Sequence, residues 1–117
     1  MGTGNDGDLP VFVVWMDFLM WLIPTTGKFP KHVRFTLANR IENLALDIAE
    51  DLVEARYIRD KVQILSRANL RLERLRVILR LSHTLGHFPH KRYEYSSRRI
   101  NEFGAMLGGW RKQQARR

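Results

Sequence analysis

The chain has 117 residues, the size of one domain, and a net charge of +8 from 20 Lys and Arg against 12 Asp and Glu. It contains no cysteine, which excludes disulfides and thiolate metal sites and fits a reducing cytoplasm. The charge is uneven: residues 1–56 hold 5 basic and 8 acidic side chains (net −3), whereas residues 57–117 hold 15 and 4 (net +11). This asymmetry predicts a polyanionic partner for the C-terminal half, and the plainer alternative is a solvated basic surface.

The first stretch, residues 1–7, is Gly-rich and acidic; we expect a disordered lead-in, and it lacks the basic start of a secretory signal. A first helix is predicted from Asp8 to about Ile23, because Pro24 lacks a backbone donor and breaks a helix. The apolar part of this helix is interrupted by Asp17 and falls short of the about 20 residues that cross a bilayer. We therefore expect no membrane span.

This first helix is apolar on almost every side. Helical spacing sorts its large side chains into two adjoining stripes: Phe12, Met16, Leu19 and Ile23 on one, and Val11, Trp15, Phe18 and Leu22 on the other. A lone four-helix bundle covers one face of each helix, so we expect Trp15, Phe18 and Leu22 to form an interface with a neighbouring subunit. The alternative is a wide core face with a few exposed aromatic side chains.

A second helix is predicted from Pro30 to about Arg56, with a stripe of aliphatic side chains on its inner face. The same helix carries five acidic side chains: Glu42, Asp47, Glu50, Asp51 and Glu54. These carboxylates can pair with arginines of the next helix, but exposed pairs stabilise little, so we expect them to be solvated.

The third helix is predicted from Asp60, which forms a capping-box pattern with Gln63, to a glycine stop at Gly86. One face is apolar: Leu65, Ala68, Leu72, Leu75 and Leu79. The arginines fall into two stripes: Arg67, Arg71 and Arg74 on one, and Arg76 and Arg80 on the other. This helix therefore has a leucine side for its own fold and a cationic side for a partner.

Phe88-Pro89 begins a fourth helix and is followed by an inward stripe: Tyr93, Ser97, Ile100, Gly104 and Leu107. Short loops and the absence of a strand pattern predict an all-α fold, an up-down-up-down four-helix bundle. We expect residues 8–117 to form this single domain, with a basic C-terminal tail.

No motif of bond-making chemistry stands out: the chain has no Gly-rich phosphate loop and no Glu-x-x-His pair. His83 and His87 lie four residues apart, a spacing that suits two metal ligands, but no acid lies beside them in sequence. We therefore expect no metal and no cofactor. The alternative is a different class of function, a metal-dependent enzyme built on a helical bundle.

Arginine side chains bind phosphate bidentately, so a basic helical face suits a nucleic-acid backbone. We expect contacts to a polyanion from the basic side chains of the last two helices and the tail: Arg67, Arg71, Arg74, Arg76, Arg80, Lys91, Arg92, Arg98, Arg99, Arg111 and Lys112. No recognition helix-turn-helix or aromatic stacking sheet is evident for reading bases. The expected binding is therefore salt-sensitive and weakly sequence-specific.

Several segments together carry a family resemblance: Phe29-Pro30-Lys31 with Arg34-Phe35-Thr36-Leu37, Ala68-Asn69-Leu70-Arg71-Leu72-Glu73-Arg74-Leu75-Arg76 with Leu79-Arg80-Leu81, Tyr93, and Met106-Leu107-Gly108-Gly109-Trp110. From about Trp15 to Lys112 the chain resembles the accessory variability determinant (Avd) proteins of diversity-generating retroelements. The resemblance assigns a binding role first to Arg76 and Arg80, which match basic positions of that family.

The resemblance implies a four-helix bundle that assembles as a homopentameric, barrel-like ring in the cytoplasm. It implies a non-catalytic protein that binds the element's reverse transcriptase and its structured template RNA, or the corresponding DNA, in support of error-prone, adenine-directed cDNA synthesis (mutagenic retrohoming). Two alternatives stay open. One is an RNA-binding four-helix protein of the type linked to ribosomal-RNA insertions, and the other is a structural oligomer whose basic face meets an acidic protein.

Overall fold

The computed structural model describes residues 8–116, so the expected lead-in, residues 1–7, and Arg117 lie outside the described part. Within that part the chain is helical and has no strand. The elements are α1 (Asp8–Thr26), a 3-10 turn (Lys31–Val33), a π-helical turn (Arg34–Ala38), α2 (Asn39–Tyr57), α3 (Lys61–Thr84) and α4 (His90–Ala115). Across residues 8–116, no helix combines the length and apolar character that a membrane span requires.

Neighbouring helices are antiparallel, because residues further along one helix contact residues further back on the other. Across α1 and α4, Trp15 packs on Phe103 and Trp21 packs on Tyr95, with ring centroids 4.3 and 4.6 Å apart. The same order holds between α1 and α2, α2 and α3, and α3 and α4. The helices therefore form the predicted up-down-up-down bundle, with principal extents of 46 × 23 × 21 Å.

The core confirms the predicted leucine face of α3, whose five side chains are at most 1% exposed: Leu65, Ala68, Leu72, Leu75 and Leu79. Full burial of an aliphatic side chain stabilises a fold by about 1.5–3 kcal/mol. The buried stripe of α4 differs from the prediction and comprises Ser96, Ile100, Phe103, Leu107 and Trp110. Only Ile100 and Leu107 were expected there, because the predicted stripe was rotated towards α3, where Tyr93 and Ser97 are half-buried.

The predicted subunit interface on α1 is wrong in its residues. Trp15, Phe18 and Leu22 are 0%, 1% and 0% exposed within the chain's own core, so they have no surface to offer a neighbour. The Nε1 of Trp15 donates a buried hydrogen bond of 2.9 Å to the carbonyl of Ala45 on α2. The surplus apolar surface of α1 is elsewhere, on side chains that are 37–70% exposed: Val13, Met16, Met20 and Ile23.

Proline does not stop α1 where the sequence predicted. Pro24 lies inside the helix, which continues to Thr26. A proline so close to the end removes one backbone hydrogen bond, and threonine hydroxyls bind the last carbonyls instead. Thr25 Oγ1 donates to the carbonyl of Trp21 at 2.7 Å, and Thr26 Oγ1 lies 2.6 Å from Glu42 on α2. The end of α1 is thereby joined to α2.

The second helix starts near Pro30 as predicted, but its first eight residues are not α-helical. A 3-10 turn and a π-helical turn lead into α2, and the hydroxyl of Thr36 donates to the carbonyl of Val33 at 3.3 Å. Within these turns Val33 and Ala38 are buried, whereas Phe35 is 80% exposed. The apolar spacing of an α-helix does not reveal such a change of pitch.

The ends of α3 are formed in two different ways. At its start the predicted capping box is absent, because Asp60 makes no capping hydrogen bond. Instead Lys61 Nζ donates to the carbonyls of Ala55 and Ile58 at 2.7 and 2.8 Å, which caps the end of α2. At the other end, Gly86 has a φ of +84° and stops the helix as predicted.

Candidate nucleic-acid interface

Two arginines of α3 are held by a buried carboxylate of α2. The carboxylate of Asp51 on α2, whose side chain is 2% exposed, accepts hydrogen bonds from Arg67 Nη2 and Arg71 Nη1, both at 2.6 Å. Arg67 Nη2 also donates to Glu54 Oε1 at 2.8 Å. The hydrogen bonds with Glu54 and then Asp51 raise the pKa of Arg67 above its usual value. Asp51 and Glu54 are thus paired and not solvated, and Arg67 and Arg71 are not free for phosphate.

The side chain of Arg76 is held by hydrogen bonds to residues of both α3 and α4. Its Nε donates to Glu73 at 3.2 Å, and its Nη1 makes a short hydrogen bond to Asn101 on α4. Gly104 leaves room for this arrangement, because a Cβ there would lie 3.0 Å from Arg76 Nη2. The side chain of Arg76 is 33% exposed, so it presents a positioned guanidinium to solvent.

Arg74 and Arg80 are exposed, and their side chains make no ion pair or hydrogen bond with any residue of the described part. Arg80 lies with Arg76 at a groove of about 350 Å³ between α3 and α4. Tyr93 and Ser97 of α4 line the opposite side of this α3–α4 groove. Glu73 also lines the groove, and its carboxylate pairs with Arg76. The groove therefore offers the unpaired guanidinium of Arg80 and the positioned guanidinium of Arg76 beside an aromatic ring and a hydroxyl, and these groups suit a phosphate backbone.

The basic residues in the middle of α4 are mostly engaged. Arg99 Nη2 donates to Asp17 of α1 at 2.7 Å and its Nη1 donates to Glu102 at 2.9 Å, so this arginine joins two helices. Arg98 is 3.9 Å from Glu94, and both side chains are more than half exposed. An exposed pair at that distance holds its arginine weakly. Arg98 thus stays accessible, whereas Arg99 stabilises the bundle.

The basic residues near the two ends of α4 are unpaired. The side chains of these residues make no hydrogen bond or ion pair among residues 8–116: Lys91, Arg92, Arg111 and Lys112. The first turn of α4 contains no acid, and cations there oppose the helix dipole by about 0.3–1 kcal/mol each at exposed sites. The unpaired cations of this candidate interface are Arg74, Arg80, Lys91, Arg92, Arg111 and Lys112.

The histidines gather near the junction of α3 and α4. Because Gly86 ends α3 between them, His83 and His87 do not share a helical face, although they lie four residues apart in the sequence. His83 Nε2 lies 3.4 Å from His90 Nδ1, whereas the His87 ring lies against His32, with centroids 5.4 Å apart. Within the described residues no three His, Asp or Glu side chains are grouped to hold a metal.

Three further basic residues, in the connection between α1 and α2, were not predicted as contacts: Lys28, Lys31 and Arg34. No acid occurs in residues 18–41 or in residues 74–93. The basic character of residues 18–41 does not appear when charge is summed over each half of the chain, because the N-terminal half is net acidic. The fold brings parts of both acid-free stretches to one end of the bundle, where Lys28 and Arg92 line the same cavity.

Comparison with known proteins agrees with the resemblance carried by the sequence. A family model described as bAvd-like matches residues 14–114, which is 101 of the 117 residues. The match starts within α1 and ends one residue before the end of α4. No curated protein matches the chain.

Proposed function

This chain belongs to the bAvd-like family, and we propose that it is a non-catalytic accessory protein of a diversity-generating retroelement. In this role it binds the element's reverse transcriptase and its template RNA, or the corresponding DNA, and supports mutagenic cDNA synthesis. It acts in the cytoplasm and assembles as a homopentameric ring.

The observation that carries the RNA-binding role is the division of the arginines. Arg67 and Arg71 are neutralised by the acids of α2, whereas Arg74 and Arg80 on the same helix have no partner among residues 8–116. Unpaired cations along α3 and α4 favour a nucleic-acid backbone, because each phosphate that they neutralise releases condensed counterions. Arg76 adds a guanidinium whose position is already fixed.

Self-association is supported by the exposed apolar surface of α1. Met20 is 70% exposed and Val13 is 56% exposed, on a helix whose opposite face fills the core. Covering such side chains with another copy removes apolar area from water. In a ring each cationic surface is repeated, and repetition raises avidity for a long polyanion without new contacts.

Binding of template RNA at near-physiological salt tests the proposal. In a fluorescence-anisotropy titration we expect the Arg74→Ala and Arg80→Ala double variant to bind more weakly. On single-stranded RNA the slope of log affinity against log salt should fall by about 1.4, because each lost phosphate contact contributes about 0.7.

The matched control is Arg59→Ala with Arg116→Ala, which removes the same charge from two other unpaired arginines, one in the α2–α3 link and one after α4. Control and test variants with equal affinity would reject Arg74 and Arg80 as contacts. A wild-type protein that binds the reverse transcriptase but not RNA would instead favour a structural oligomer with an acidic protein partner. The proposed support of the reverse transcriptase is tested separately: cDNA synthesis by that enzyme on the template RNA should depend on addition of this protein.

A further inference from the structure

The end of the bundle holds a second cavity, here named the loop cleft. It has a volume of about 370 Å³ and lies between the α1–α2 connection and the α3–α4 connection. Lys28, His87 and Arg92 line it, one from each connection and one from the start of α4. No carboxylate is among the described residues that line it.

Within the described residues, no carboxylate pairs with the basic side chains of the loop cleft. The side chains of Lys28 and Arg92 make no hydrogen bond or ion pair within residues 8–116. The His87 ring lies near two aromatic rings, at centroid distances of 6.4 Å from Phe29 and 5.4 Å from His32. Like charges gathered in one cavity repel each other, and a bound anion removes that repulsion.

The backbone on both sides of the loop cleft is held by hydrogen bonds. The N–H of Lys28 donates to the carbonyl of Thr25 at 3.1 Å. The N–H of His87 donates to the carbonyl of Ser82 at 3.0 Å, a bond that the positive φ of Gly86 permits. A site whose backbone is fixed before binding loses little conformational freedom when a ligand enters.

The cleft also has apolar walls. Phe29, Pro30 and Pro89 line it, and the Phe29 ring is anchored against Phe88, with centroids 5.7 Å apart. Basic groups beside rigid apolar walls suit a ligand with a phosphate at one end and a sugar or base at the other. The volume of about 370 Å³ leaves room for one nucleotide.

We propose that the loop cleft is a phosphate-binding site that holds one nucleotide unit of an RNA strand. The Arg92 guanidinium and the Lys28 ammonium bind the phosphate oxygens, and a ring N–H of His87 donates a further hydrogen bond. Pro30 and Pro89 contact the sugar. RNA as the source of the phosphate rests on the proposed function, whereas the phosphate site itself does not.

Continuity with the α3–α4 groove supports a strand as the ligand. Arg92 lines the loop cleft, and its neighbour Tyr93 lines the groove that also contains Arg80. A strand whose nucleotide occupies the cleft therefore passes the first turn of α4 and meets the unpaired Arg80. The two sites together form one path for a backbone along the end of α3 and the start of α4.

Titration of the isotope-labelled protein with inorganic phosphate and with adenosine 5′-monophosphate tests the site without RNA. We expect saturable shifts of the amide signals of Lys28, Gly86, His87 and Arg92, with a higher affinity for the nucleotide because of the apolar walls. Shifts that are absent, or spread evenly over all basic segments, would overturn the phosphate site.

The second arm uses a single-stranded RNA oligonucleotide and the Lys28→Ala with Arg92→Ala variant. The affinity of this variant for the oligonucleotide should fall about tenfold near physiological salt. Two lost phosphate contacts lower the slope of log affinity against log salt by about 1.4, since each single-strand contact contributes about 0.7. The Arg59→Ala with Arg116→Ala control loses the same charge and should differ little from wild type.

The two arms separate the failure of this site from the failure of the proposed function. If the wild-type protein binds RNA and both double variants bind it equally well, the strand path through the cleft is wrong and the RNA-binding role stands. If phosphate and nucleotide bind at the cleft but no RNA binds, the cleft is a site for free nucleotide and the RNA-binding role is wrong.

Discussion

Replacing Arg67 and Arg71 together with methionine is expected to destabilise the bundle strongly and to leave its RNA contacts in place. The buried carboxylate of Asp51 receives both of its counter-charges from these two arginines. Its Oδ2 already lacks a hydrogen-bond partner among the described residues, so no other group compensates. An uncompensated buried charge costs about 3–5 kcal/mol. That is a large part of the about 5–15 kcal/mol by which a domain is stable.

Thermal and urea unfolding followed by circular dichroism measure this effect. At about 4 °C per kcal/mol for a domain of this size, Tm should fall by about 12–20 °C. Adding Asp51→Leu should restore much of the loss, because an apolar replacement of a buried ion pair is often neutral or stabilising. RNA affinity of the folded variant should match that of the Arg59→Ala and Arg116→Ala control. An unchanged Tm together with weaker RNA binding and a shallower salt slope would refute the structural role.

Three further substitutions test local features. Gly86→Ala should cost about 1–2 kcal/mol in urea unfolding, because φ is +84° and no atom lies within 4 Å of the added Cβ, so only backbone strain acts. Gly104→Ala adds about 1 kcal/mol of helix propensity but displaces Arg76 Nη2, so stability should not fall while RNA binding weakens in anisotropy. Met20→Lys changes a side chain that is 70% exposed within the chain, so the chain should stay folded while sedimentation velocity shifts towards smaller species. An unshifted sedimentation profile would remove Met20 from the subunit interface.

The helices and the core of α3 were predictable from the sequence, because the 3.6-residue period depends on residues close together in the chain. The glycine stop at Gly86 was predictable for the same reason, since a left-handed residue at a helix end is a local requirement. Pro24 shows the limit of local rules. Two threonines supply hydrogen bonds at the end of α1, and a proline near the last turn is then tolerated.

The separation of paired from unpaired arginines was not predictable, because it depends on the register between helices. Arg67, Arg71 and Arg74 share one stripe of α3, yet only the first two reach Asp51. Residue type and helical spacing do not distinguish them. Only packing of α2 against α3 sets which turn of one helix lies opposite which turn of the other.

The prediction that Trp15, Phe18 and Leu22 face a neighbouring subunit failed for a related reason. Both apolar stripes of α1 have large side chains, and periodicity does not tell which stripe faces the core. Trp15 lies in the core, where it donates a hydrogen bond to the carbonyl of Ala45 and its ring contacts Phe103. The polar Nε1 of tryptophan can be buried because a backbone carbonyl accepts its hydrogen bond.

Cross-linking of template RNA to the protein, with mass spectrometry of the attached peptides, tests most directly whether the acid-free end of α3 and the start of α4 hold the strand. We predict cross-links within residues 74–93, with Tyr93 and the adjacent histidines as the aromatic acceptors, and additional ones at Lys28. Cross-links confined to the acidic face of α2, or none at near-physiological salt, would contradict the account.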